Sequence, residues 1–161
     1  MNENSSLPVA IRAAVPGDEA AIVALLRELA DYEQLLHRFH LTPQAAARDM
    51  MGAACHTDLA FAGGEAVAIV TWGWIYKSFA ARRGIFLEDL YVQPAHRGRG
   101  IGKAMLLALA GKTRDAGGFL EWQVLDWNAP AIAFYKSLDA TMMPDWITCR
   151  LEGDALQRVT A

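Results

Sequence analysis

The period of the apolar positions changes several times along the chain, and each change marks an element. Residues 9–14, VAIRAA, read as a short first strand. Pro16-Gly17-Asp18 then opens a helix in which Ile22, Leu25, Leu26 and Leu29 fall at i, i+3, i+4 and i+7, one apolar stripe. Thr42-Pro43 opens a second short helix to about Met51, with Thr42 as cap and Pro43 in the first turn. From there the pattern is one of strands. Leu59 to Phe61 is a short run, Gly63-Gly64 a turn, and Ala66 to Tyr76 a long β-branched and aromatic stretch, so the pair reads as a hairpin. A polar loop over 78–84 leads to a further strand, Ile85 to Val92. Gly100 to Ala116 is apolar on most faces, which predicts a buried helix, and Lys112 and Arg114 suit the negative end of its dipole. Phe119 to Leu125 reads as a strand, Asn128 to Leu138 as a helix, and 140–143 and 146–151 as two closing strands.

The predicted order, β-α-α-β-β-β-α-β-α-β-β, is that of an α/β or α+β chain with a mixed central sheet. A length of 161 residues suits one compact domain, expected over 9–161 behind a flexible tail at 1–8. A net charge of −3 gives no broad basic surface, so no nucleic-acid partner is expected. No apolar run is long and uninterrupted enough to span a bilayer, so no membrane partner is expected either. The polar start, MNENSSLP, lacks the layout of a signal peptide, and Cys55 and Cys149 form no CxxC or disulfide framework. Both features fit a cytoplasmic protein. The histidines His37, His40, His56 and His96 show no metal-ligand spacing, and no metal is expected.

The stretch QPAHRGRGIGKAMLLALA, 93–110, holds the candidate chemistry. Gly98, Gly100 and Gly102 alternate between a strand and a helix, flanked by Arg97, Arg99 and Lys103, and no acid lies between 90 and 114. Helix N-termini expose unpaired N–H groups at the positive end of the dipole, and glycines let backbone amides approach an anion. A phosphate or pyrophosphate is the natural occupant. The turn is not a Walker A loop, because three residues rather than four separate Gly98 from Gly102, and Ala104 stands where the Mg²⁺-binding hydroxyl is needed. Nor is it a dinucleotide fingerprint, since GxGxG is not GxGxxG and no clear acidic ribose partner follows.

The longer run V-Q-P-A-H-R-G-R-G-I-G, Val92 to Gly102, resembles the acetyl-CoA motif of the GNAT N-acetyltransferases, commonly V-x-P-x-x-R-G-x-G-I-G. W-N-A-P-A-I-A-F-Y-K-S-L, Trp127 to Leu138, is similar to that superfamily's Asn-and-Tyr helix. LRELADYE (26–33), FLEDLYV (86–92) and VLDWNAPAIAFYKSLDA (124–140) look most like its diamine (spermidine/spermine) and thialysine branch. The resemblance implies a mixed, mainly antiparallel sheet of about seven strands with about four helices. It implies that backbone amides of Arg97, Gly98, Arg99, Gly100, Ile101 and Gly102, with Lys103 nearby, meet the CoA pyrophosphate. It implies that pantetheine follows Leu90, Tyr91 and Val92, and that Asn128, Phe134, Tyr135 and Lys136 line the other wall. It also implies a homodimer. Asp139 departs from the glycine common after the helix, a place where Asp tolerates a left-handed cap.

An acetyl transfer to an amine needs the free base. At pH 7 only about 1 in 2,500 lysine-like amines is neutral, a cost of roughly 4.6 kcal/mol. A carboxylate acting directly or through water meets that need. Glu88 and Asp89 sit on the strand before the turn, and strict alternation sends them to opposite faces unless a bulge re-aims them. The resemblance implies that Glu88 relays the proton through water and that Tyr135 stands beside the departing sulfur. Glu28, Asp31, Glu33, Glu88 and Asp89 could form an acidic approach for a cationic amine, and Trp72, Trp74, Tyr76 and Trp146 could frame its methylenes. The function expected is acetyl-CoA-dependent transfer to a primary amine of a small cation, a polyamine or lysine-like amino acid, by direct attack in a ternary complex. The alternatives are a non-catalytic acyl-CoA-binding module on the same fold and an enzyme acting on a protein amine.

Overall fold

The computed structural model describes residues 9–114 and 117–160. They form two compact units, one ending at Gln123 and one beginning at Val124. The expected tail at 1–8 lies outside the described residues.

The first unit is built on a five-stranded sheet in chain order: β1 (Val9–Ala13), β2 (His56–Ala62), β3 (Glu65–Lys77), β4 (Arg82–Val92) and β5 (Leu120–Trp122). The first four strands run antiparallel to their neighbours, and β5 joins β4 in parallel. Helices α1 (Glu19–Tyr32) and α2 (Pro43–Asp49) bury Ile22, Leu25, Leu26 and Ala46 in one cluster with Leu59, Ile69 and Tyr91 of the sheet. Helix α3 (Ile101–Arg114), the crossover from β4 to β5, buries Ile101, Met105, Leu106 and Leu109. A Cβ on Gly102 would lie 3.6 Å from Val92 Cγ2, so Val92 faces α3 while its neighbour Tyr91 faces the α1/α2 cluster. The middle of β3, Val67 to Trp72, is therefore buried throughout, as a strand covered on both faces must be.

The capping signals act as their chemistry predicts. Thr42 Oγ1 accepts from the Ala45 N–H at 3.2 Å, and Asn128 Oδ1 accepts from the Ala131 N–H at 3.3 Å. The entry to α1 is closed differently. Asp18 accepts from the Val15 N–H at 2.8 Å and pairs with Arg12 at 2.7 Å, which ties β1 to the helix start.

The second unit contains α4 (Ala129–Lys136) and α5 (Gly153–Thr160). Asp139 takes the left-handed conformation, φ 59°, and its N–H bonds the Lys136 carbonyl at 3.0 Å, as a cap there requires. The predicted closing strands at 140–143 and 146–151 are corrected: neither forms, and the described residues show five strands and five α-helices rather than about seven and four. Residues 141–150 are exposed throughout, and Pro144 lacks a donor. β-propensity expresses packing against neighbouring strands, so apolar alternation without a paired neighbour makes no strand. The sequence does not signal helix α5, because its eight residues are shorter than the window a helical period needs, although Leu156 and Val159 lie one turn apart.

Candidate active site

The site is organised by an irregularity in β4. Asp89 pairs with Thr71 and Leu87 with Trp72, so Glu88 is an extra residue with no partner across the ladder. Such a bulge bends the strand and resets which groups face which side. Before it, the Ile85 N–H points toward β5 and bonds the Phe119 carbonyl at 2.9 Å. After it, the Gln93 N–H points toward β3 and bonds the Val67 carbonyl at 3.0 Å. By alternation the Leu90 and Val92 N–H groups face the β5 side. There β5 has already stopped, its last pair being Leu87 with Trp122. Within this unit the β4 edge from Glu88 to Val92 thus presents backbone donors without a strand to receive them.

That edge leads into the glycine turn. A 3-10 turn over Pro94–His96 precedes it, and Gly98 and Gly100 adopt φ of 72° and 78°. These are left-handed values that glycine takes without steric cost. A Cβ built on either would meet nothing within 4 Å, so the space over the turn is open. The Ala104 N–H is the first to close onto the helix, donating to the Gly100 carbonyl at 2.9 Å, which leaves the amides of Ile101, Gly102 and Lys103 at the positive end of α3. Arg99 and Lys103 are exposed beside them. Arg97 has a different place: its Nε donates to the Val92 carbonyl at 2.8 Å, and its guanidinium lies 5.2 Å from the Tyr32 ring and 5.5 Å from the Tyr91 ring. It braces the turn against β4 and α1.

The carboxylates gather behind this edge. Thr71 Oγ1 donates to Asp89 Oδ2. Burial pushes the Asp89 carboxyl above its ordinary range, the Thr71 bond opposes that, and the charge of Glu88 adds to it. Glu33 is likewise raised, first by burial and then by the charge of Asp89. Glu88 is exposed at the bulge. Glu33, Glu88 and Asp89 are thus close enough to feel one another. Glu28 is held more firmly: Tyr91 Oη donates to its Oε2 at 3.1 Å and Gln93 Nε2 to its Oε1 at 3.0 Å. It links α1 to β4 first, and can meet a substrate only through lone pairs those bonds leave over. Trp72 belongs to another cluster, donating its indole N–H to Asp58 at 3.1 Å, so it does not frame this site. Cys55 lies within reach of the same charges. Burial pushes its thiol up, and Asp89, Asp49 and Glu88 push it further, which depletes the thiolate a nucleophile needs.

The remaining expected residues lie in the second unit. Tyr135 is 8% exposed in α4, with Phe134 beside it at 5.3 Å between ring centroids and Lys136 exposed. Asn128 is buried and caps α4, a structural task that the expected wall position did not include. Trp146 is 75% exposed. Thr71 and Gln93 were not foreseen, because no local spacing announces a contact across 18 or 65 residues.

The raised carboxyl has a consequence for stability. A group whose folded pKa exceeds its unfolded value stabilises the fold below the unfolded value, and that contribution is lost as pH rises through the folded one. Asp89→Asn keeps an acceptor for Thr71 and removes the ionisation. It is expected to raise Tm at pH 7, by about 2–4 °C for each kcal/mol relieved. The gain should disappear below the ordinary carboxyl value of 3.8. Thermal unfolding followed across that pH range checks it.

Comparison with known proteins finds likeness in family, in sequence and in fold. The family model described as acetyltransferase (GNAT) family matches residues 22–139. A thialysine N-epsilon-acetyltransferase of Bos taurus is 35% identical, covering 94% of this chain and 96% of its own. An L-ornithine N5-acetyltransferase of Arabidopsis thaliana is 42% identical over 52% of this chain and 37% of its own. Among solved structures, an integron cassette protein from the mobile metagenome of V. cholerae superposes with a TM-score of 0.78 at 21% identity, covering 94% and 97% of the two chains. That last likeness concerns the fold.

Proposed function

The chain belongs to the GNAT family of acetyltransferases, and from that premise we propose that it acetylates a side-chain primary amine of a small cation, a lysine-like amino acid or a polyamine, by direct attack in a ternary complex. It is an N-acetyltransferase with acetyl-CoA as co-substrate. One observation supports the reading above the others: the bulge at Glu88 opens a donor-bearing strand edge that leads, through one 3-10 turn, into a left-handed glycine turn at a helix N-terminus. The present residues fit an acyl-CoA on those grounds. The amides from Arg97 to Gly102, with Lys103, would hold its pyrophosphate, and the Leu90 to Val92 edge its pantetheine. Asn128, Phe134, Tyr135 and Lys136 complete the cofactor residues, with Tyr135 donating to the departing sulfur. The thioester is the acetyl source. A Leu90 or Val92 N–H directed at its carbonyl would stabilise developing negative charge.

On the acceptor side, we assign Glu88 as the group that removes the ammonium proton through water. Glu33 and Asp89, with Glu28 behind them, hold the approach anionic, and Trp146 is assigned to the substrate's methylenes. Glu88→Gln is expected to lower kcat/KM about thirtyfold at pH 7. The deficit should narrow toward pH 9, where the amine supplies more of its own free base. A second reading gives the base to Asp89, favoured by burial raising its proton affinity. A loss in Asp89→Asn with Glu88→Gln unaffected would establish it. The acceptor class is tested by mass spectrometry of products from thialysine, ornithine and spermidine. A side-chain N-acetyl product from at least one is expected, and acetylation of peptide N-termini alone would overturn the assignment.

We also place the protein in the cytoplasm, without nucleic-acid or membrane partners, and as a homodimer. Net charge and two free cysteines support the location. Among the described residues no helix is long and apolar enough to cross a membrane. Exposed Met143, Ile147 and Leu151 in the second unit support a surface covered by a second copy. Sedimentation at micromolar concentration would show the dimer, and a monomer would refute it.

A further inference from the structure

The first unit has a second cleft, beside the last turn of α3, whereas the glycine turn opens the first. It has a volume of about 220 Å³ and is lined by His56, Asp58, Trp72 and Lys112, with Ala13 and Met51 supplying apolar wall. None of these residues takes part in the acetyl transfer described above.

Its chemistry is unusual for a structural hollow. Asp58 is only 7% exposed, yet its hydrogen bond among the described residues comes from a neutral donor, the Trp72 indole N–H at 3.1 Å. No described cation lies within ion-pair distance of it. The carboxylate borders the cleft, so the lone pairs that this one donor does not use are open to a ligand or to water. The indole plane is fixed from one side by the His56 ring, stacked at 4.2 Å and 19°. Lys112 Nζ lies 5.3 Å from the Trp72 ring centroid. The cleft thus offers an anionic acceptor, an apolar wall and a cationic donor in one small volume.

We propose that this cleft binds a small zwitterion, an amino acid or close analogue. Its ammonium would sit at the Asp58 carboxylate, its carboxylate at Lys112 Nζ, and its aliphatic body against the apolar wall of Ala13 and Met51. A simple cation would gain Asp58 but face Lys112, and a simple anion would face Asp58. Only a ligand with both charges satisfies both ends. The volume is below the roughly 300–1,000 Å³ of drug-sized pockets, which limits the ligand to a few heavy atoms.

The Trp72 indole N–H reports on the site directly, because it bonds the carboxylate that would receive the ligand. With ¹⁵N-labelled full-length protein, and the Trp72 resonance assigned by Trp72→Phe, we would titrate L-alanine, ethylamine and propionate at millimolar concentration without acetyl-CoA. L-Alanine is expected to shift that resonance saturably, ethylamine more weakly and propionate not at all. Asp58→Asn, which keeps an acceptor for the indole, should weaken alanine binding at least about tenfold. Lys112→Met, a surface change, should weaken alanine binding about threefold and tighten ethylamine binding by a similar factor, because the opposing charge is gone. Neither variant should alter acetyl transfer. The proposal is overturned if no probe moves the resonance, if the shift survives unchanged in Asp58→Asn, or if ethylamine binds as tightly as alanine.

Discussion

Tyr135→Phe is expected to lower kcat about a hundredfold while moving the KM for acetyl-CoA by less than about threefold. The reason lies in the leaving group. Once the amine has attacked, the sulfur must depart with negative charge, and a thiol near pKa ~8.5 is too weak an acid to leave unaided at no cost. A phenol near pKa ~10 makes complete proton transfer uphill by about 2 kcal/mol, so its role is a hydrogen bond that strengthens as charge develops. A hundredfold effect corresponds to roughly 2.7 kcal/mol, within the range of hydrogen bonds to charged groups. The position suits the task. Tyr135 is buried in a helix whose start is fixed by the Asn128 cap and by Pro130 in the first turn, so the ring has little freedom to turn away. Phe keeps the ring and removes only the hydroxyl, which separates chemistry from packing. The check is steady-state kinetics with acetyl-CoA and with an acetyl thioester of a more acidic thiol. The penalty should shrink with the better leaving group. An unchanged kcat would move the role to another residue.

The second large effect concerns the turn. Gly100→Asp is expected to weaken acetyl-CoA binding about a hundredfold, and Gly100→Asn only a few-fold. Gly100 sits at φ 78°, and its Cβ would meet nothing within 4 Å, so a short side chain fits. Asp and Asn tolerate the left-handed region about equally and match in size, which cancels most of the backbone cost between them. What differs is a negative charge placed where the pyrophosphate of the cofactor would lie. The Asp variant should therefore lose affinity more steeply at low ionic strength and recover part of it in salt, whereas the Asn variant should not. Isothermal titration with CoA at two ionic strengths measures both. Equal losses in the two variants would mean that the turn acts through its shape alone.

Much of this arrangement could be read from residues close in sequence. Thr42-Pro43 and Asn128-Ala-Pro130 announced their helices because a cap and its donor lie three positions apart. The turn was legible because Gly98, Gly100 and their basic neighbours form one contiguous run. Asp139 was anticipated as a left-handed cap on the same local grounds. The features that escaped are products of long-range pairing. Glu88 becomes the bulge residue only because β3 meets β4 with a register shift, and no pattern within FLEDLYV dictates it. Strict alternation would set Glu88 and Asp89 on opposite faces of one regular strand. The bulge makes the strand irregular there, and it turns the Leu90 and Val92 amides outward. The Glu28 link to Tyr91 and Gln93 joins α1 to β4 across more than 60 residues. The apolar residues between 140 and 151 misled in the opposite direction. Met142, Trp146 and Ile147 look like strand positions, but strand formation needs a neighbour, and composition cannot supply one.

The central claim is that acetyl passes from acetyl-CoA to an amine held in the same complex, with the raised thiol of Cys55 taking no part. Rapid-mixing measurement of free CoA thiol, with enzyme and acetyl-CoA at comparable concentration, tests it directly. Without an amine, no thiol beyond the hydrolytic background should appear. With thialysine, ornithine or spermidine, release should begin at once and continue at the steady-state rate. A stoichiometric burst of thiol in the absence of any amine, stable to amine addition only as a second step, would contradict the account by revealing an acyl-enzyme.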